Sequence, residues 1–563
     1  MSVGAELRAG PVRLIARFQP ATRGWIGFGL LLVAALAMLV YFGRGTGFYF
    51  DEWDWIGQRR EWDADALLQP HNEHLSLVPL LAFKLLFSSV GIESYVPYRL
   101  AGLAMHALVA GLLFVYARRR VGDLPALAAA ALLLLLGPAW QGILWPFQIG
   151  YLGSLAAGLG SLLALDRGDR HGDALACGLL AVAVASSSLG LPLLAAVAIE
   201  VLGRPDRRRR WWVIAVPAAL YAVWWIAYGG ESELTRQNLF DTPRYVADAT
   251  AGAVGALLGL GLEWGRTMAL GLLVIFVLAV RRSESLSWRL LVLLAMPLAF
   301  WGLTGLARAD LGEPAASRYL YPGGLFILLV AVEAAAGARF SRRAATVGAV
   351  VLSMVLLSNL GAMREGGSFL RGETAKVEGA LSALPLVRSA VDSDFQPALE
   401  AAPQIRAAPY MAAARDLGSP VPPTRTLHRQ RADVRAAADA MLLRGYGLAL
   451  ADGASGTVGA APRLDVTEAA RARPSGPCQV ITSLGGQAMA DLIVPRGGLL
   501  FRPAAAGFSV ALRRFGDAYP DEPIGTVGSG AAPVALRIPR DGSPRPWRAQ
   551  VKFGEAVRVC RQR

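Results

Sequence analysis

Three carboxylates, Asp51, Glu52 and Asp54, lie in the stretch FYFDEWDWIGQRR, directly after the first long apolar run of the chain. A carboxylate in such a place can act as a general base toward a hydroxyl group. The stretch also carries two tryptophans, Trp53 and Trp55, and such residues form aromatic belts at membrane–water interfaces. The pattern is therefore compatible with a catalytic site and with a simple interfacial collar.

The segment QPHNEHLSLVP follows in the same inter-run loop and holds two of the five histidines of the chain. On a helix, His71 and His74 would share one face, so we expect both imidazoles, together with Glu73, to converge with the acids. These side chains are acceptable ligands for a divalent ion. Their spacing is not HExxH, however, and histidines at a membrane surface can simply hydrogen-bond, so we predict no required metal while a divalent ion stays the alternative.

Cationic residues near later apolar runs could bind an anion. Arg318 lies in ASRYLYPG and Arg99 in VPYRLAG, and Lys84 is a further candidate. A guanidinium offers a fork of donors that matches phosphate oxygens. A long basic side chain can equally snorkel to the interface as an anchor. Together with the carboxylates, these cations suggest one site with a base and a phosphate-binding region.

Composition indicates which elements must position such a site. The 563 residues are 54% hydrophobic and 17% charged, with a mean hydropathy of +0.42, whereas a soluble protein carries roughly a quarter charged residues. The apolar runs end near residue 360, so a multi-pass membrane region followed by a water-facing domain is expected. The net charge of +14 is concentrated between apolar runs, which argues against nucleic acid as a partner.

Eleven membrane spans are predicted, and the first should remain as an anchor because it lacks a small-residue cleavage site. The arginine clusters that follow the even-numbered spans, and the one before the first, all fall on one side if the N-terminal residues 1–23 are cytoplasmic. The loop 44–95, the segment 229–264 and the tail then lie outside the cytoplasm. The predicted spans are 24–43, 96–117, 124–139, 148–165, 173–188, 190–203, 211–228, 265–280, 288–306, 318–336 and 344–361.

The tail divides into two parts. Residues 362–454 look helical or linker-like, and residues 455–563 show short β-prone pieces between Gly, Pro and Asp turns, which favours an antiparallel sandwich or jelly roll. This domain could be a structural cap or a carbohydrate-binding module. Cys478 and Cys560 both lie in the tail; outside the cytoplasm they could form a disulfide, although they could also stay free.

The arrangement resembles the GT-C superfamily of membrane glycosyltransferases, which includes protein mannosyltransferases, aminoarabinose transferases and cell-wall arabinosyltransferases. The resemblance rests on the cytoplasmic N-terminus, a large external loop opening with the acidic pair Asp51-Glu52, many spans, and the pair Arg318-Tyr319 near a late span. It covers about residues 20–360 and assigns no subfamily. The HNEH segment is not a general mark of the superfamily.

The resemblance implies inverting transfer of a sugar from a polyprenyl-phosphate-linked donor to an extracytoplasmic cell-envelope acceptor, such as a glycan or a lipid-linked glycan, without a cofactor. Asp51 would be the general base, with Glu52 or Asp54 as alternatives. Arg318, and then Arg99, would stabilise the leaving phosphate. The remaining predicted contacts would orient the acceptor or bind the donor: His71, Glu73, His74 and Tyr319.

Two other classes of function compete with transfer. One is a transporter of lipid-linked saccharide, which would show internal repeats and ionisable groups near the bilayer midplane. The other is a non-catalytic membrane protein that binds glycan or serves a structural role. The polar cluster lies at the outer surface and few acids lie within spans, which favours surface chemistry. The Ala-, Gly- and Arg-rich composition with only three lysines is typical of a GC-rich bacterial genome, so a bacterial plasma membrane is expected.

Overall fold

The structure is a computed structural model that describes residues 20–230, 235–282, 287–338, 341–453, 461–467, 469–503 and 507–562. Most of the predicted cytoplasmic N-terminus, and residues 339 and 340 of the basic RFSRR cluster, lie outside these ranges. The described chain forms two compact units. Unit 1 comprises residues 20–46, 59–90 and 95–370, and unit 2 comprises residues 47–58, 91–94 and 371–562.

Unit 1 is entirely helical apart from its turns. The long helix that begins at Arg342 belongs to unit 1 up to Leu370 and to unit 2 from Arg371 onward. The helices of unit 1 are α1 (Pro20–Phe42), α3 (Ala64–Leu68), α4 (Leu77–Val90), α5 (Val96–Val121), α6 (Asp123–Leu134), α7 (Trp140–Leu144), α8 (Ile149–Leu165), α9 (Arg170–Ser186), α10 (Gly190–Leu202), α11 (Arg207–Arg210), α12 (Trp212–Tyr228), α13 (Arg236–Leu257), α14 (Leu262–Arg282), α15 (Trp288–Arg308), α16 (Ser317–Ala334) and α17 (Arg342–Val387).

Five described helical segments are long and apolar enough to cross a membrane, and the number rises to seven if two bent helix pairs each count as one span. Three shorter apolar helices, α4, α10 and α12, accompany them. The protein is therefore a multi-pass membrane protein, and the predicted number of eleven spans stays a prediction. Local signals explain several helix ends. For example, α5 has a proline in its first turn and ends before Gly122, whose φ is 80°, as expected for a glycine that ends a helix.

One predicted connection is a helix in the structure. Residues 229–264 are predicted to form an external segment, whereas the structure has the 22-residue helix α13 there, bent by 98° against α14. The first half of α13 is polar and contains Pro243. The mean hydropathy of the whole helix is therefore low, although its second half is apolar. From Ala251 to Leu257 every residue is buried, which shows that this half packs inside the helical unit.

Charged residues gather at one end of the helical unit. Arg120 Nε lies 2.5 Å from Glu333, and Arg289 lies 2.5 Å from Asp166 and 3.4 Å from Glu200. These residues lie at the ends of predicted spans that the arginine pattern places on the cytoplasmic side: 96–117, 148–165, 190–203, 288–306 and 318–336. The structure thus brings together the chain segments that the charge pattern assigned to a single side of the membrane, although the orientation of the termini is still a prediction.

Unit 2 combines helices with a β-sandwich. Its further helices are α2 (Glu52–Gly57), α18 (Ala407–Leu417) and α19 (Ala432–Gly445). Its strands are all antiparallel and form a six-stranded sheet and a five-stranded sheet. The strands are β1 (Leu450–Asp452), β2 (Leu464–Val466), β3 (Ala470–Ser475), β4 (Cys478–Ser483), β5 (Ala488–Ile493), β6 (Leu499–Pro503), β7 (Phe508–Arg513), β8 (Gly525–Val527), β9 (Val534–Leu536), β10 (Arg548–Phe553) and β11 (Ala556–Arg561).

The two sheets enclose a shared core. The order is β1-β9-β6-β11-β4-β3 in one sheet and β2-β5-β10-β7-β8 in the other, and the rings of Phe501 and Phe508 meet across them with centroids 5.6 Å apart. Cys478 and Cys560 are paired opposite each other on β4 and β11 and form a disulfide. The C-terminal region is thus the sandwich that the alternating β-prone pieces predicted.

Early and late parts of the chain meet inside unit 2. The amide of Gly47 donates a hydrogen bond to the Thr374 hydroxyl at 2.8 Å, and the amide of Ile92 donates to the carbonyl of Leu417 at 2.9 Å. A bilayer cannot pass between residues that share such contacts. Consequently, the chain crosses the membrane an even number of times between residues 95 and 370. Each count given above agrees with this once the first span, which precedes residue 95, is left out: ten of the eleven predicted spans, and four or six of the five or seven apolar segments, follow it.

Candidate active site

The two histidines of the HNEH segment lie on a tight turn rather than a helix. The amide of His71 donates to the carbonyl of His74 at 3.0 Å, and the reverse bond measures 2.9 Å. Asn72 and Glu73 between them have φ values of 48° and 67°, as a type I′ turn requires. Residues that face each other across such a pair present their side chains on the same face, so the turn still places both imidazoles side by side.

Both imidazoles are held in a neutral state. His71 is buried with its ring 5.3 Å from the ring of Phe147, and Nδ1 of His74 lies 2.8 Å from the Ser188 hydroxyl oxygen. Burial, with the positive charge of Arg59, lowers the pKa of His71 to about 4. Burial, with the positive charge of Arg308, lowers the pKa of His74 to about 3. At neutral pH these side chains are therefore polar hydrogen-bonding groups and not cations.

Two arginines of unit 1 lie beside Tyr319. Nη1 of Arg308 donates to the Tyr319 hydroxyl at 3.3 Å, and the guanidinium of Arg318 lies 4.8 Å from the centre of the Tyr319 ring. Nη2 of Arg308 also donates to the carbonyl of Asn72 at 3.4 Å, which connects the end of α15 to the histidine turn. Arg308 therefore links Tyr319 to the histidine turn, where it also interacts electrostatically with Glu73 and His74.

The charges of these two arginines are only loosely compensated. Arg308 donates long hydrogen bonds to two neutral oxygens, and the carboxylate of Glu73 acts on it electrostatically. Arg318 approaches the carboxylate of Glu313 at 3.8 Å, where the glutamate side chain is 64% exposed. Exposed ion pairs of this kind contribute little. A guanidinium has five N–H donors, so the cluster has donors to spare for an anion that enters it.

Several neutral hydroxyl groups surround the two guanidiniums. Tyr151 and Tyr245 interact electrostatically with Arg308 and Arg318, and Tyr319 itself is buried and packs edge-on against Phe300. Phenol hydroxyls can donate hydrogen bonds without adding negative charge. We name the group formed by Arg308, Arg318, Tyr319, Tyr151 and Tyr245 the arginine–tyrosine cluster.

The start of α16 is fixed by its neighbours. The amide of Gln141 donates to the Ser317 hydroxyl at 3.0 Å, and the amide of Arg318 donates to Oε1 of Gln141 at 3.2 Å. One turn further on, the Tyr321 hydroxyl lies 2.7 Å from Nδ1 of the fully buried His106. These bonds fix the register of the helix that carries Arg318 and Tyr319, so the cluster is built on a rigid element.

Two predicted cations have other partners. Nη2 of Arg99 donates to the carbonyl of Val40 at 3.0 Å, so it closes the C-terminal end of α1, where the last carbonyls of a helix lack internal partners. Lys84 is 3% exposed, and its Nζ donates to the carbonyls of Arg59 and Glu61 at 2.6 and 2.5 Å. Lys84 therefore holds the chain of the loop, and its charge serves the structure there.

The acidic stretch belongs to unit 2. Glu52 is fully buried, and its Oε2 accepts a hydrogen bond from the amide of Tyr49 at 2.8 Å. Asp51 is only half-buried, and Nε2 of Gln404 approaches its Oδ1 at 3.4 Å. Of this acidic pair, Asp51 is thus the accessible carboxylate, and Glu52 closes the turn that carries it.

The turn that presents Asp51 has an unusual backbone. Phe50, directly before it, has a φ of 46°, a conformation that a bulky residue adopts only at a cost of the order of 1–3 kcal/mol. Trp53 and Trp55 are 4% and 1% exposed, and Nε1 of Trp53 donates to the carbonyl of Phe48 at 3.1 Å. These tryptophans anchor the turn in the protein core, so their predicted role as an interfacial aromatic belt is wrong.

Part of the cluster is absent from the residues predicted from the sequence. An arginine directly after one apolar run and another directly before the next, as in LARADLGEPAASRY, is the signal that could have paired Arg308 with Arg318. Tyr151 and Tyr245 carry no local signal, because each lies in a helix whose neighbours are known only from the fold.

Comparisons with solved structures find similar chains. No protein-family model and no curated protein matches the chain. The solved structures include ArnT from Cupriavidus metallidurans bound to undecaprenyl phosphate, with 16% identity, a TM-score of 0.41, and coverage of 66% of this chain and 82% of ArnT. The apo ArnT structure has 15% identity, a TM-score of 0.42, and coverage of 67% and 82%.

Both TM-scores lie below 0.5, so the proposed function rests on the residues of this chain.

Proposed function

We propose that this protein is a GT-C-type glycosyltransferase of the bacterial plasma membrane, with its N-terminus in the cytoplasm and its C-terminal domain outside. It transfers a sugar from a polyprenyl-phosphate-linked donor to a glycan or lipid-linked glycan of the cell envelope. The observation that carries this proposal is the arginine–tyrosine cluster, in which Arg308 and Arg318 keep donors for an anion beside the shared Tyr319.

The phosphate of the donor is the anion proposed for this cluster. A guanidinium matches two phosphate oxygens at once, and the negative charge on the phosphate grows as its bond to the sugar breaks. Cations positioned in advance stabilise such developing charge in the transition state. The tyrosine hydroxyls, which are neutral, can donate further hydrogen bonds to the same group, and Arg99 is not needed for this role because it closes α1.

Asp51 is the proposed general base. In the reaction, the acceptor hydroxyl oxygen attacks the anomeric carbon as the carbon–oxygen bond to the polyprenyl phosphate breaks. Asp51 takes the hydroxyl proton, and the polyprenyl phosphate leaves with the electron pair of the broken bond. Direct attack inverts the anomeric configuration, and the reaction requires no cofactor. Since Glu52 is buried and committed to its own turn, it serves to hold Asp51 rather than to accept the proton.

The histidine turn has a separate proposed role. His71 and His74 are neutral, so they can hydrogen-bond the hydroxyl groups of a sugar without repelling the arginines. Glu73 lies within electrostatic reach of Arg308 and can orient both that arginine and a bound hydroxyl group. We propose that this turn orients the acceptor.

The experiment is sugar transfer by the purified protein from radiolabelled polyprenyl-phosphate sugars, with a cell-envelope glycan extract as the acceptor. Asp51→Asn is compared with wild type and with Asp54→Asn, which replaces a carboxylate whose Oδ1 accepts a hydrogen bond from Nε2 of Gln58, the residue that follows α2. General-base catalysis contributes about 10²- to 10⁴-fold, so Asp51→Asn should lose at least about 100-fold in kcat while Asp54→Asn stays within about threefold of wild type.

Two outcomes would overturn the proposal in different ways. Full activity of Asp51→Asn would show that Asp51 is not the general base, although the protein would still be a glycosyltransferase. Absence of transfer with every donor sugar, combined with movement of the labelled lipid across vesicle membranes, would identify a transporter instead.

A further inference from the structure

A long apolar groove runs along the outer surface of unit 1. Its floor is the small-residue face of α8, and its walls are α5 and α9, so no large side chain fills it. The groove has a volume of about 780 Å³. Its principal lining residues are Leu108, Leu112, Ala157, Gly160, Leu175 and Leu179.

The groove is open to the bilayer. Leu108 and Leu175 on its two walls are 49% and 52% exposed. Along α5 it extends from Met105 to Arg119, which is about 21 Å at 1.5 Å per residue. That length is roughly two-thirds of the 30 Å hydrocarbon core of a bilayer, so the groove suits an extended lipid chain lying along the membrane normal.

One end of the groove is cationic. Arg119 and Arg167 line it together with Asp166, and the side chains of the two arginines are 55% and 57% exposed. The carboxylate of Asp166 is held by Arg289 at 2.5 Å, whereas Arg119 reaches it only at 3.9 Å. Arg167 donates two hydrogen bonds, of 3.3 and 3.1 Å, to the carboxylate of Asp169, and both side chains are about half exposed, so water screens this pair.

We propose that this groove binds an anionic phospholipid from the leaflet that borders the arginine-rich ends of the helices. Its phosphate lies against Arg119 and Arg167, and one acyl chain lies along α8. Basic sites between helices at that face of a membrane attract anionic headgroups. The position of the two arginines distinguishes this lipid from a polyprenyl phosphate. A polyprenyl chain that entered from the arginine–tyrosine cluster would place its phosphate at the opposite end of the groove, near Ser186.

The binding test uses the full-length protein in detergent and native mass spectrometry with phosphatidylglycerol or phosphatidylcholine of identical chains. Wild type should retain phosphatidylglycerol at least about fivefold better. The double variant Arg119→Gln/Arg167→Gln should lose this preference, whereas Arg207→Gln/Arg208→Gln, which removes two exposed arginines elsewhere, should keep it. Equal retention of the two lipids by wild type, or an unchanged preference in the double variant, would refute the proposal.

The groove itself is tested by filling it. Gly160→Leu places a side chain toward Leu179, whose Cδ1 would lie 3.2 Å from an added Cβ, whereas nothing lies within 4 Å of one at Gly271 on α14. Gly160→Leu should reduce retained phosphatidylglycerol at least about fivefold, and Gly271→Leu should not. Phosphatidylglycerol with a photoreactive acyl chain should crosslink wild type within residues 105–119, 153–167 or 175–186. Crosslinks confined to other helices would contradict the assignment. Displacement of the phosphatidylglycerol by polyprenyl phosphate at equal concentration would contradict it as well.

Discussion

Nη1 of Arg308 donates a hydrogen bond to the Tyr319 hydroxyl at 3.3 Å, and these two residues belong to consecutive helices, α15 and α16. The same guanidinium reaches the carbonyl of Asn72 at 3.4 Å. Arg308 thus joins the loop that carries the histidine turn to the helix that carries Arg318. A single side chain in this position can couple donor binding to the placement of the acceptor groups.

Replacement of Arg308 by Gln should weaken the binding of polyprenyl phosphate at least about tenfold, because hydrogen bonds to charged groups contribute about 1.5–3 kcal/mol each and tenfold corresponds to about 1.4 kcal/mol. Tyr319→Phe should have a smaller effect, about two- to tenfold, since it removes one neutral partner of Arg308. Binding is measured by isothermal titration in detergent. Arg236→Gln changes an exposed arginine on α13 and serves as the control; equal affinities for wild type and Arg308→Gln would contradict the role.

Acidification should destabilise the protein through the histidine turn. The pKa values of His71 and His74 fall to about 4 and about 3 in the folded protein, below the ordinary value of about 6.5. The unfolded chain therefore binds more protons between about pH 4 and pH 6.5, so stability rises with pH in that window and is fully present above it. The two histidines should make the melting temperature fall as pH is lowered from 7 to 5.

The measurement is the melting temperature of wild type and of His71→Gln/His74→Gln at pH 7 and pH 5. The difference between the two pH values should be smaller in the double variant, because its glutamines do not titrate. His171→Gln removes an exposed histidine at the other end of the helical unit and should behave like wild type. An identical pH dependence in the double variant would show that the turn does not hold neutral imidazoles.

Substitution of Lys84 by Met should loosen the chain around residues 59–70. The ammonium group donates to the carbonyls of Arg59 and Glu61, and hydrogen bonds of charged groups contribute about 1.5–3 kcal/mol each. Hydrogen–deuterium exchange should therefore become faster in that segment. Lys376→Met removes an exposed ion pair with Glu373 and should change exchange little there, whereas unchanged exchange in Lys84→Met would show that the lysine does not hold the loop.

Removal of the disulfide should destabilise the β-sandwich. Cys478 and Cys560 are 82 residues apart in sequence, and a cross-link closing a loop of that size contributes at most about 4–5 kcal/mol through the entropy of the unfolded chain. Cys478→Ser/Cys560→Ser should therefore become more sensitive to proteolysis within residues 461–562. Cys177→Ala, which changes the buried free cysteine, is the control.

The same pair of cysteines tests the orientation of the tail. Disulfides form and persist outside the cytoplasm, so alkylation of intact cells without reductant should leave Cys478 and Cys560 unmodified. Reaction of both cysteines under these conditions would contradict the predicted extracytoplasmic location.

The sequence predicted the architecture where a single segment carries the signal. Apolar runs located most helices of unit 1, and short β-prone pieces such as those around Cys478 and Phe508 located strands of the sandwich. Helix α13 escaped because its polar first half and Pro243 lower the average hydropathy of a helix whose second half is buried. A local average cannot reveal that burial.

The site was less predictable for a related reason. Arg318 and Tyr319 were identified because they are adjacent, and Asp51 because it stands in an acidic cluster. The role of Arg308 depends on a hydrogen bond to Tyr319 and on contact with a turn 236 residues earlier, and no spacing rule encodes such a contact. Likewise, the sequence could not show that Arg99 and Arg318 have different roles, because the role of Arg99 follows from its hydrogen bond to the carbonyl of Val40.

The hydrogen bond between Gly47 and Thr374 joins residues separated by 327 positions, and this separation has a consequence for biogenesis. At a bacterial elongation rate of about 5–20 residues per second, the ribosome needs roughly 15–65 seconds to make the intervening chain. The acidic turn is therefore synthesised long before its partners Thr374 and Gln404. The surroundings of the carboxylate proposed as the base are thus completed late, so a chain that stops short of these residues lacks part of the proposed active site.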